Sequence, residues 1–295
     1  RFESRGLGDV YKRQGASRGV GRGIAEGICK PGDIVYCVGR SLKTGTKVSQ
    51  FGLELNSSLE DTASEINQLG AKGIPIVADL NREDEIKKIS DLITQEHGKL
   101  DILVHSACQI HDDLVQPKPF WEKSTELWSM VEVGLKCNYM LTHALAPILI
   151  KTSSALVINI SSHGAVCYMH GPIYGAQKAG LDKMTHDMAH DFKEHDVCAI
   201  SLWSGIVLDE KTELISANMD EAYAEFLKGA ASQRFAGKVI RGFYETKDKM
   251  QKTGKTLIAA ELANDLNIKD LDGNQPISDR EQLGGPVDFS DSVIY

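Results

Sequence analysis

The chain predicts a doubly wound α/β fold, a single domain with a parallel sheet covered by helices on both faces. Two observations carry this. From residue 15 onward, short apolar runs rich in β-branched residues alternate with longer helical patterns, the signature of successive βαβ units. A glycine-rich turn, Gly15-Ala-Ser-Arg-Gly-Val-Gly21, opens the first helical pattern. The length of 295 residues, with 42% hydrophobic and 25% charged residues, suits an ordinary globular domain of this class.

The elements follow in order. Residues 1–14 hold no buried-strand pattern, although a glycine-rich turn normally follows an apolar strand. The first strand therefore reads as missing or replaced. Residues 1–14 read as a non-native or disordered leader, joined at about Gly15 by cloning or by an error in the gene's assignment. Apolar runs at 34–38, 74–78, 102–105, 155–160 and 198–203 are strands, and 256–260 is a weaker sixth. Helical patterns at 20–29, 59–69, 83–97, 125–151 and 174–195 lie between them. Parallel strands joined by helices require right-handed crossovers, which place helices on both faces. Residues 209–250 are helical and charged without a good strand, and read as a substrate-covering segment. Residues 266–295 form a polar tail, Gly-, Pro- and Asp-rich, and expected to be poorly ordered. The domain proper spans 15–265.

A net charge of −8 argues against nucleic acid or an anionic membrane as partner. The six cysteines form no CxxC pair and sit in apolar segments, so free thiols in a reducing compartment are expected rather than disulfides or a metal site. No run of 18 apolar residues and no secretory signal stand out. The expected location is cytoplasmic, and peripheral membrane association stays open. His186-Asp-Met-Ala-His190 has zinc-helix spacing, but Asp187 stands where the water-activating Glu belongs. It reads as a helix face.

The glycine turn has its own chemistry. Gly15 and Gly19 let the backbone approach a pyrophosphate, Gly21 allows close helix packing, and the helix N-terminus supplies amide donors. This makes the fold Rossmann-type. The next strand ends at Val38-Gly39-Arg40. NAD-selective sites carry Asp or Glu there for the ribose 2′-hydroxyl. Arg40, Arg18 and the Ser17 hydroxyl instead suit a 2′-phosphate, so NADP is expected over NAD. Asp79 stands where it could meet the adenine amino group, or cap a helix as Asn81 could.

Ser161, Tyr174 and Lys178 carry the catalytic reading. On a helix Tyr174 and Lys178 share a face. A Lys ammonium beside a phenol stabilises the phenolate, which makes a general acid or base for neutral pH. Ser161 closes an apolar strand thirteen residues before Tyr174 and can hydrogen-bond a carbonyl oxygen.

Together these residues resemble the short-chain dehydrogenase/reductase family over about 15–265. The resemblance rests on Gly15-Ala-Ser-Arg-Gly-Val-Gly21, Asp79-Leu80, Leu100-Asp-Ile-Leu-Val104, Asn159-Ile-Ser-Ser162, Tyr174-x3-Lys178 and Ser204-Gly-Ile-Val207. Phe120-Trp-Glu, Val133-Gly-Leu, Ser201-Leu-Trp and Asp270-Leu-Asp-Gly resemble one branch, dehydrogenase/reductase member 1. The resemblance implies NAD(P)-dependent oxidoreduction of a hydroxyl or carbonyl, and a homodimer or homotetramer built on the two long helices. It implies that Tyr174 donates the proton, that Lys178 assists it and binds the nicotinamide ribose, and that Ser161, with Ser162 as the weaker candidate, polarises the carbonyl. It also implies cofactor contacts from Gly15, Ser17, Arg18, Gly19, Val20, Gly21, Arg40, Asp79, Leu80, His105, Ala107, Gly205, Ile206 and Val207.

Four departures qualify it. Gln14 replaces a Thr beside the absent first strand. His105-Ser-Ala-Cys108 replaces Asn-Asn-Ala-Gly. Gly134 replaces a relay Asn, for which Asn138 is a candidate substitute. Ser204-Gly205 replaces Pro-Gly. The expected reaction is carbonyl reduction, or the matching alcohol oxidation, on a fairly large apolar substrate. Trp121, Tyr168, Met169 and Trp203 are candidate pocket walls, and His163 and His170 flank the site in polar loops. The alternative is a catalytically impaired nucleotide-binding or interaction protein of the same fold.

Overall fold

The computed structural model describes residues 10–14, 16–17, 19–43, 47–50, 53–56, 58–209 and 227–294, with backbone only at 10–14, 47–50, 53–56 and 228. In chain order the elements are β1 (Val10–Gln14), α1 (Gly19–Ile28), β2 (Ile34–Gly39), β3 (Lys47–Gln50), β4 (Leu53–Asn56), α2 (Leu59–Gln68), β5 (Lys72–Val77), α3 (Glu83–Glu96) and β6 (Ile102–His105). Then come α4 (Ser129–Val131), a π turn (Glu132–Lys136), α5 (Cys137–Leu149), β7 (Leu156–Ser161), α6 (Pro172–Phe192), β8 (Cys198–Trp203) and β9 (Val207–Leu208). After the gap follow β10 (Ala231–Ser232), α7 (Phe235–Glu245), β11 (Thr256–Ile258), α8 (Ala259–Asp265) and α9 (Arg280–Leu283).

One sheet runs β11-β8-β7-β6-β1-β2-β5, every neighbouring pair parallel. The chain winds outward from β1 to β5, returns, and winds outward again from β6 to β11. The order reverses between β1 and β6, and in open α/β sheets ligands bind at the carboxyl ends of strands beside such a reversal. Strand alternation divides the core in two. Val35, Cys37, Ile102, Val104, Leu156 and Ile158 pack on one face with Ile24 of α1, Leu59 of α2 and Phe235 of α7. Tyr36, Val38, Leu103 and Val157 pack on the other with Ile89 of α3, Leu141 of α5 and Phe192 of α6.

The expected architecture is sharpened in four places. The first strand is replaced rather than missing: Val10–Gln14 pairs with β2 on one side and β6 on the other. Its sequence VYKRQ is polar, but two flanking parallel strands supply a ladder that any non-proline backbone can complete. A small antiparallel hairpin, β3 with β4, stands outside the predicted pattern.

The substrate-covering segment at 209–250 is corrected in its second half. Residues 210–226 lie outside the described residues, but α7 is a core helix. A Cβ at Gly23 would stand 2.1 Å from the Gln233 carbonyl oxygen, and one at Gly27 2.2 Å from that of Arg234. Only glycine permits this approach of α1 to the chain entering α7.

The 266–295 tail is likewise corrected. It is fastened along its length: Arg280 grips Glu261 through Nε and Nη2 at 2.8 and 2.7 Å, and Ser278 donates to the same carboxylate at 2.7 Å. Farther on, the Ser290 carbonyl lies 3.1 Å from His186 Nε2 and Phe289 packs on the His186 ring. Polar partners on the domain, with one aromatic contact, hold this polar segment. His186 thus braces the tail, and among the described residues no cluster of metal-ligating side chains occurs.

Candidate active site

A cavity of about 370 Å³ opens at the strand-order reversal, within the range of small-molecule sites. Ser17, Gly19, Val20 and Gly21 line one end, Arg40, Asp79 and Leu80 one side, and Ala107 the middle. Ser161, Ser162, Tyr174, Lys178, Ser204 and Gly205 line the other end. Residues predicted from sequence spacing therefore converge on one space. Gly15 and Arg18 lie outside the described residues.

Three predicted contacts are not on the cavity wall. His105 is fully buried, with Nε2 2.8 Å from Thr142 Oγ1; it ends β6 with its ring turned into the α5 side. Ile206 faces a small void beneath the sheet end instead, and Val207 is buried in the β9–β10 pair. Candidate substrate walls also move. Trp203 is inside the core at 0% exposure, whereas Trp121 and Tyr168 stand out in solvent at 73% and 81%.

Tyr174 and Lys178 lie one turn apart on α6, as their spacing predicts. Lys178 Nζ sits 5.6 Å from the Tyr174 ring centroid and donates to the Ile160 carbonyl at 3.2 Å. The serine is corrected by one residue. Ser162 Oγ lies 2.9 Å from Tyr174 Oη, while Ser161 Oγ donates to the Lys178 carbonyl at 3.2 Å and is 2% exposed. Successive residues of an extended strand point to opposite sides. Ser161 ends β7 facing inward, and Ser162, with φ −161° and ψ 171°, continues the alternation toward Tyr174. Ser162 also accepts from the Gly164 amide at 3.2 Å. Gly164 in turn lets the Tyr174 ring approach: a Cβ there would fall 2.4 Å from Tyr174 Cε1.

Gly134 lies in the π turn before α5, and its missing side chain leaves space for Gln177. A Cβ at Gly134 would stand 2.2 Å from Gln177 Nε2. The candidate substitute Asn138 does not reach the cavity; it donates to Asn159 at 3.2 Å, and Asn159 donates on to Thr185 at 2.9 Å.

His163 follows Ser162, is 3% exposed, and packs on Trp203 with ring centroids 4.7 Å apart. Burial holds it below the ordinary imidazole range, against the attraction of Asp279 and Glu261. His170 packs edge-on against Tyr174 at 5.1 Å, and burial lowers it too.

The wall also includes residues that no spacing rule singled out, among them Asn81, Cys108, Val133, Cys137 and Asp209. Cys137 is pushed up to about 11 by burial, so it is a lining thiol and not a nucleophile. Asp79 caps no helix; its Oδ1 accepts from the Asn81 amide at 3.1 Å, while α3, with Arg82 at its N-cap, has no side-chain cap.

The model of the short chain dehydrogenase family matches residues 14–220. The chain belongs to the short-chain dehydrogenase/reductase family. It is 32% identical over 288 residues to mouse dehydrogenase/reductase SDR family member 1, covering 94% of this chain and 87% of that protein, which supports the branch its motifs resemble. Solved structures share the fold. A 3-oxoacyl-[acyl-carrier protein] reductase from Brucella melitensis in complex with NAD gives a TM-score of 0.70 at 20% identity, over 87% of this chain and 96% of that one. A short-chain dehydrogenase from Shigella flexneri complexed with NADP gives 0.68 at 20% identity, over 86% and 98%.

The residues present fit a nicotinamide dinucleotide. Glycines at the α1 N-terminus open one end of the cavity, and a tyrosine–lysine pair lines the other. This short-chain dehydrogenase is thus an oxidoreductase of the NAD(P)-binding type. No helix among the described residues is long and apolar enough to cross a membrane.

Proposed function

We propose that the chain is an NADP(H)-dependent carbonyl reductase, or alcohol dehydrogenase in reverse, acting on a fairly large apolar ketone or alcohol. The single observation that carries this is the Ser162–Tyr174 contact of 2.9 Å, with Lys178 beside it, at the end of the cavity away from the α1 N-terminus. When bound, a nicotinamide dinucleotide would supply the hydride for the carbonyl carbon.

The chain does the rest. The α1 N-terminus at Gly19, Val20 and Gly21 would hold the pyrophosphate. Ser17 and Arg40 favour a 2′-phosphate, since Arg40 lines the cavity and pairs with no carboxylate among the described residues. Ser162 donates to the substrate carbonyl oxygen and orients it. Tyr174 Oη gives its proton to that oxygen as the C–O⁻ charge develops. The Lys178 ammonium, held by the Ile160 carbonyl and 5.6 Å from the Tyr174 ring centroid, reduces the cost of the phenolate charge left behind. A homodimer or homotetramer through α5 and α6 is the expected assembly, and light scattering on the purified chain checks it.

Tyr174→Phe is the decisive test. It removes the transferable proton and keeps the ring that packs on Gly164. Turnover of a ketone panel with NADPH should fall by about 10²–10⁴-fold, while NADPH binding, read by its fluorescence, stays within about twofold. Retained turnover would overturn the mechanism.

A further inference from the structure

Asp182 is a buried carboxylate that the proposed reaction does not use. It is 5% exposed and follows Lys178 by one turn on α6, so Tyr174, Lys178 and Asp182 lie along one helix face. Its Oδ1 accepts from Ser201 Oγ at 2.5 Å and its Oδ2 from Trp203 Nε1 at 3.1 Å. Ser201 and Trp203 are alternate residues of β8 and so face the same side. The Lys178 ammonium attracts this carboxylate.

The Asp182 neighbours Lys178 and Trp203 lead to the catalytic end of the cavity. Ser161 holds the Lys178 carbonyl. Trp203 carries His163, whose chain neighbour Ser162 meets Tyr174. An apolar residue of similar volume would seat α6 on β8 as well, because burying a charge costs more than it returns unless its geometry is used. Burial alone raises the Asp182 carboxyl above its ordinary range, opposed by Ser201, Ser161, Trp203 and Lys178.

We propose that Asp182 is a positioning residue for carbonyl reduction: by joining Ser201 and Trp203 of β8 to α6, it holds Lys178 and Tyr174 in register with Ser162. This rests on the reading of Tyr174 and Lys178 under Proposed function. Asp182→Asn keeps the shape, deletes the charge and can accept from only one of the two donors.

The test compares wild type, Asp182→Asn, Trp203→Phe and Tyr174→Phe in full-length protein. Readouts are kcat on an aromatic ketone panel, NADPH affinity by fluorescence, the folded fraction by circular dichroism, and the Trp203 indole N–H resonance. Asp182→Asn should lower kcat about tenfold with NADPH affinity within about twofold, and should shift the indole resonance. Trp203→Phe should lower kcat about threefold with the same affinity.

Unchanged kcat in a folded Asp182→Asn overturns the proposal. So does a loss of kcat that only tracks the folded fraction. If Asp182→Asn does not fold, Trp203→Phe decides: lower kcat at unchanged affinity supports the role, and unchanged kcat overturns it. Retained turnover in Tyr174→Phe overturns the reading of the site and the proposal with it. Lost turnover there, beside normal turnover in Asp182→Asn, removes the Asp182 proposal alone.

Discussion

The two ends of the cavity rest on strands of opposite character. The proposed catalytic end rests on β7, whose six residues are all buried, and on α6, tied to it by Ser161, Lys178 and Asn159. The proposed phosphate end rests on β1, whose letters are VYKRQ and which pairs with β2 and β6. At one end side chains specify position; at the other a ladder and a close helix approach do so. A backbone seat tolerates sequence change that a side-chain seat does not. Substitutions should therefore divide by readout: catalytic-end changes in turnover, phosphate-end changes in stability and cofactor affinity.

After Tyr174→Phe, Ser162→Ala should show the largest effect. Removing the donor that faces the substrate oxygen should cut kcat by about 10²–10³-fold, whereas Ser161→Ala should cost less than about tenfold, since its hydroxyl serves the Lys178 carbonyl. Steady-state kinetics on both variants checks the one-residue correction, and an equal loss in the two would break the contrast.

Gly23→Val tests the phosphate end. The added side chain meets the Gln233 carbonyl oxygen, where even a Cβ would stand at 2.1 Å, so unfolding free energy should drop by about 3 kcal/mol. Urea denaturation reads it. A drop below about 1 kcal/mol would mean that α1 and α7 adjust freely.

Arg40→Leu should weaken NADPH binding by about tenfold and leave NADH binding within about twofold, the worth of one charge-assisted hydrogen bond. Parallel fluorescence titrations check it. Equal weakening of both cofactors would remove the case for NADP.

The smallest effect is a pH dependence at the catalytic end. Burial lowers the folded-state value of His163 below its unfolded one, so the folded protein binds fewer protons there. Stability from this group is present above the ordinary histidine range and is lost as pH falls through that range toward the lowered value. His163→Phe should flatten the acid limb of a Tm-against-pH curve, and an unchanged limb would assign it to other groups.

The origin of each site feature differs. Tyr174, Lys178, the glycine turn and the strand–helix alternation were legible because each rests on a local period: four residues on a helix, two on a strand, a turn of glycines. The Asp182–Trp203 contact joins α6 to β8, and the Gly134–Gln177 fit joins the π turn to α6. Neither pair shares a period. The tail looked loose because composition reports burial, whereas Arg280, Ser278 and the Ser290 carbonyl are held by polar partners far away in sequence.

The sequence by itself determined the doubly wound order, the helix face that pairs Tyr174 with Lys178 and the basic residue at the end of β2, because those follow from spacing along one element. Only the tertiary structure decided which of two adjacent serines meets Tyr174, what seats a polar first strand, and why Gly23 and Gly134 must be glycine. Those depend on strand parity, on ladders offered by neighbours and on neighbours that leave no room for a Cβ, and each is a property of two segments that the chain brings together only when folded.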